Sequence, residues 1–162
     1  MAPLIVLIGS FGIFLLILRF LKKKWDWMLA ATIGMSCMLV FTAIGHFAFS
    51  EGMSLMLPSF IPFRKEIVLL TGLVEIIFAV GLLTRYRRLA ATLLIIFFLL
   101  ILPANIHAAI KGVNYQQGNY DGPGTEYLWF RIPLQLFFIG WVYFSALKQG
   151  GQKNRRENKI EG

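Results

Sequence analysis

Cysteine is almost missing from this sequence: Cys37 is the only one in 162 residues. A single thiol gives no intramolecular disulfide, no CxxC relay and no cysteine cluster for zinc or iron–sulfur, so thiol–disulfide membrane chemistry is disfavoured. Histidine is nearly as scarce, with two residues. Neither stands at helical ligand spacing from a third metal-binding side chain, and no metal site is expected. Charge is sparse as well, at 15% of residues with only eight acidic ones, where a soluble domain carries about a quarter. What fills the chain instead is apolar: 57% hydrophobic residues and a mean hydropathy of +0.69. That balance excludes an ordinary soluble domain and points to an integral membrane protein.

The net charge of +8 does not indicate a nucleic-acid partner. Its basic residues cluster between apolar runs instead of forming a stripe with aromatic readers, so they serve as topology signals and the expected partner is the lipid bilayer. Five apolar segments approach the roughly 20 residues that a helix needs to cross the hydrocarbon. They fall at 3–21, 27–50, 67–84, 88–110 and 127–147. The fold class expected is therefore all-α, a polytopic membrane helical bundle.

Orientation follows from lysine and arginine. Arg19, Lys22, Lys23 and Lys24 follow the first segment, Arg85, Arg87 and Arg88 the third, and Lys148, Lys153, Arg155, Arg156 and Lys159 the fifth. The opposite side has only Arg64, Lys65 and Lys111. The positive-inside rule then places the N-terminus outside and the C-terminus in the cytoplasm of a multi-pass cell-membrane protein. An odd number of spans requires opposite ends in any case. The first segment reads as a retained helix and not as a cleaved signal, because its positive charges come after the apolar core. Trp25, Trp27 and Tyr86 on one side, and Tyr127 and Trp129 on the other, form the expected interfacial belts. The tail LKQGGQKNRRENKIEG is too polar to pack a core and is expected to be disordered.

Polar side chains inside the spans are the functional signal, because a charge near the bilayer centre costs a few kcal/mol and must be paired, hydrated or neutralised. Counted at about 1.5 Å per residue, Glu75 and Gln135 lie roughly 12 Å down the third and fifth segments, and His46, Asn105 and His107 lie within about two turns of the outer surface. Arg131 stands one turn above Gln135 on the same face. All six belong to the outer half of the bilayer, with Arg131 the expected partner of Glu75. Asn105 and His107 are about 200° apart around a helix. Asn105 is therefore expected to face inward and His107 to be a hydrated interfacial residue, unless Pro103 bends the segment. The bland alternative for the whole set is interhelical hydrogen-bonded glue. Gly34, Ser36, Gly72, Ala79 and Gly81 are expected to allow close helix approach.

The stretches TAIGHFAFSEGMSLMLPSFIPF (42–63), GLVEIIFAVGLLTRYRRLAA (72–91), PANIHAAIKG (103–112) and RIPLQLFFIGWVYF (131–144) together resemble the DoxX-like family of small membrane proteins. The likeness spans about 27–147, through a GHF helix end, an M-x-P-x-x-x-P loop, a Gly-x-x-Glu helix, PAN and R-x-P-L-Q. It implies a four-helix core over 27–147, with an extra N-terminal helix and basic connection over 1–26 and the polar tail over 148–162. The resemblance also implies that His46, Glu75, Asn105, Arg131 and Gln135 occupy the family's recurrent polar positions. Family members are linked to thiosulfate:quinone oxidoreductase subunits and to membrane redox complexes. Three roles follow. One is a quinone-linked subunit whose five polar residues line a head-group pocket. Its electron partner is another chain, since no heme, flavin or iron–sulfur motif is present. A noncatalytic assembly or scaffolding protein is the second. A small transporter is the third, though no inverted repeat is evident.

Overall fold

In the computed structural model, residues 2–23 and 25–148 are described; Lys24 and the tail beyond Lys148 lie outside them. The described chain is helical throughout, with no β-strand among the described residues. The first helix, α1, covers Ala2–Lys22, and α2 covers Trp27–Ala48. A one-turn helix α3, Ser50–Ser54, leads to α4, Arg64–Leu83, and α5, Arg87–Ile110. The last span is a 3₁₀ turn at Gly124–Tyr127, α6 at Leu128–Val142 and a π-helical turn at Tyr143–Leu147. Five helices are thus long and apolar enough to cross a membrane. The chain is an integral membrane protein by this architecture.

The breaks between helices have local causes. Asp26 caps α2 by accepting from the Leu29 amide at 3.1 Å, satisfying one of the orphan N–H groups of a helix start. Pro58 and Pro62 lie between α3 and α4, and Phe63 takes a left-handed φ of 53° just before α4 begins. The Thr84 hydroxyl donates to the Gly81 carbonyl at 2.9 Å and closes α4. At the end of α5, Gly112 adopts φ +62°. The Gly112 and Val113 amides then donate to the Ala109 and Ala108 carbonyls at 3.1 and 2.8 Å. This is a Schellman closure, for which glycine is the favoured residue.

Side chains sort by environment as a bilayer requires. Leu7, Met35, Met38, Leu39, Leu82, Leu94 and Val142 form the fully buried core, with α2 central and packed on both α1 and α4. Large apolar residues such as Leu70, Ile77, Leu100 and Leu136 face outward, which is costly in water and favourable in lipid. One end of the bundle carries Arg19, Lys23, Arg85, Arg87, Arg88 and Lys148; we call it the basic end. There Trp25 and Trp27 stack at 5.6 Å, with Arg19 over the Trp25 ring at 5.6 Å. The opposite end is capped by α3 and the 111–123 connection; we call it the cap end. Trp129, 87% exposed, marks its rim.

Candidate functional site

Five helices converge at the cap end without filling the space between them. In the basic half, α2 and the last span are joined by Trp141, whose indole donates to the Ala31 carbonyl at 3.0 Å, and by Thr32 and Ser145, 3.4 Å apart from hydroxyl to carbonyl. In the cap half they separate around a cavity of about 380 Å³. Its walls come from α2, α4, α5 and α6, with the first turn of α1 and the 115–116 backbone at its rim. His46, Glu75, Asn105, Arg131 and Gln135 all line this one cavity.

Two polar clusters face each other across apolar walls. The first joins α2 to α4. His46 Nδ1 lies 2.9 Å from the Thr42 carbonyl; a carbonyl only accepts, so Nδ1 carries the proton and Nε2 of the neutral ring is left as an acceptor. The same Nδ1 stands 3.4 Å from Glu75 Oε2. Gly72 makes this approach possible, because a Cβ there would sit 2.8 Å from that of His46. Glu75 is only 4% exposed, and its Oε2 is buried without a hydrogen-bond partner. Thr42, one turn before His46, donates its hydroxyl to the Met38 and Leu39 carbonyls at 3.2 and 3.0 Å.

The second cluster joins α5 to α6. Asn105 Nδ2 donates to Gln135 Oε1 at 3.1 Å, and Gln135 Nε2 donates to the Phe98 carbonyl. One position on, the Leu99 carbonyl loses its helical donor, because Pro103 has no N–H. The helix nevertheless runs unbroken from Arg87 to Ile110, so Asn105 faces the cavity and His107 does not.

Two expectations change here. The ion-pair distance to Glu75 is met by His46, where the sequence suggested Arg131; depth counted along separate helices ranks levels but not lateral neighbours. His107 is half-buried, and its Nδ1 stands 3.0 Å from the Met56 carbonyl, pinning the segment after α3 to α5. Sequence reasoning also missed Thr42, Tyr115 and Gln116, all on the cavity wall. Only the i, i+4 spacing of Thr42 and His46 signalled the first of these.

The family described as a domain of unknown function (DUF8561) matches residues 35–146, about two thirds of the chain. The chain belongs to this family. The DUF8561 region starts within α2 and takes in every polar residue of the cavity named above, while α1 lies outside it. No curated protein and no solved structure matches the chain.

Proposed function

We propose that this DUF8561 protein is a DoxX-like, quinone-linked subunit of a membrane redox complex, and that the cavity is its quinone head-group site. The observation that carries this reading is Glu75 Oε2, buried without a hydrogen bond on the wall of a largely apolar cavity, with His46 Nδ1, 3.4 Å away, already bonded to the Thr42 carbonyl. A buried acceptor with no donor is costly, and a hydroxyl-bearing ring would satisfy it. His46 Nε2 offers a second acceptor on the same wall, and Asn105, Gln135 and Arg131 supply donors for a ring carbonyl. Oxidised and reduced quinone need both kinds of partner. The volume lies within the range of about 300–1,000 Å³ usual for small-molecule sites. In the same reading the cap end faces outward and the basic end the cytoplasm, as the distribution of lysine and arginine supports.

The test is mass spectrometry of lipids and subunits co-purifying with the gently solubilised protein, native against Glu75→Gln. Quinone retained by the native chain and lost from the variant, at equal helicity and Tm, is the expected result. Absence of quinone from both removes the redox assignment. A partner complex indifferent to the substitution would instead make this an assembly protein.

A further inference from the structure

The cavity wall runs continuously onto the lipid-facing surface. On α2 the lining residues form one helical stripe, from Met38 through Thr42 and Gly45 to Phe49. His46 lies on the edge of that stripe that meets α4, at Gly72. Phe41 and Ile44 lie on the opposite edge at 3.6 residues per turn. Both line the cavity, yet they are 42% and 60% exposed on the apolar belt. Leu134 and Phe138 of α6 line the same cavity. The first turn of α1 also reaches the cavity rim, through Ala2 and Pro3.

The rest of α1 is held firmly. Leu7 is fully buried, Ser10 Oγ lies 3.3 Å from the Gly34 carbonyl, and the Phe11 ring meets that of Trp141 edge-on at 5.2 Å. Leu4 and Val6 also pack against the core, so that only Ala2 and Pro3 of α1 reach the cavity.

We infer that the cavity takes its ligand sideways from the bilayer, through a mouth between Phe41 and Ile44 of α2 and Leu134 of α6, and that the ligand carries a long apolar tail that stays in lipid. Every methylene of a tail favours hydrocarbon over water, so such a ligand never needs an aqueous route. The head-group half of this inference rests on the quinone reading; the mouth does not.

The experiment reconstitutes the full chain in vesicles containing a phospholipid with a diazirine near the end of one acyl chain, and maps the labelled residues by mass spectrometry after illumination. Met38 and Phe138 are both buried and both line the cavity. Their labelling, together with that of surface residues, is the expected result. It is lost in Ile44→Trp, which fills the mouth from an exposed position, and kept in Val40→Trp, another exposed site of α2 off the cavity wall. Labelling confined to surface residues in the native chain overturns the inference, as does interior labelling unaffected by Ile44→Trp. A second arm adds a short-chain prenyl benzoquinone as competitor. Interior labelling that the quinone does not displace leaves the mouth standing and counts against the quinone reading. Quinone retention without interior labelling does the reverse.

Discussion

Gln135 is bonded at both ends of its amide, accepting from Asn105 and donating to the Phe98 carbonyl, so its orientation is determined by its neighbours. Gln135→Leu takes this partner from both the Phe98 carbonyl and the Asn105 amide. Interhelical hydrogen bonds in membranes average about 0.6 kcal/mol and reach about 1.7, so the expected loss is about 1–3 kcal/mol. Denaturant unfolding in mixed micelles would read it as a lowered midpoint. A Gln135→Glu chain should recover little, since a carboxylate cannot donate to the Phe98 carbonyl. An unchanged midpoint in both variants would show that the amide adds nothing to the join between α5 and α6.

At the scale of elements, α3 is the piece that the sequence hid. SEGMS has neither length nor periodicity to announce a helix. It is held by what surrounds it: Gly52 against the Tyr115 backbone and Glu51 paired with Lys65 of α4 at 2.9 Å. The hydrogen bond and charge of Lys65 lower the Glu51 pKa from its ordinary value. A depressed carboxylate contributes its attachment fully above the ordinary carboxylate range and loses it as pH falls through the lowered value. A nitroxide on Ser54→Cys, with Cys37 replaced by serine, should accordingly become more mobile on acidification. With Lys65→Gln added, it should be mobile at every pH. The five spans, by contrast, were legible because uninterrupted apolar runs have few other uses. The start of α4 at Arg64, three residues earlier than the hydropathy indicated, was not, because Arg64, Lys65 and Glu66 form a polar first turn outside the apolar run. The site residues stood out since His46, Glu75 and Arg131 are expensive in lipid. Thr42 and Tyr115 did not, because threonine and tyrosine carry no such penalty.

For the molecule as a whole, the two ends differ in charge and in architecture. The proposed orientation predicts that a cysteine at Gly118, in the cap-end connection, reacts with an impermeant maleimide added to intact cells, in a chain where Cys37 is serine. A cysteine at Arg88, on the basic end, should react only after permeabilisation. The opposite pattern would invert the protein and turn the cavity toward the cytoplasm. The DUF8561 region and the cavity nearly coincide, and α1 adds a wall from outside that region.

The Asn105–Gln135 bond spans 30 positions of sequence, and that separation has a consequence for biogenesis. Chains are made from the N-terminus at about 5–20 residues per second, so α5 reaches the bilayer before α6 exists. During that interval the Phe98 carbonyl, the Asn105 amide and the unfinished side of the cavity have no α6 to meet. The insertion machinery or a passing lipid must cover them until α6 follows.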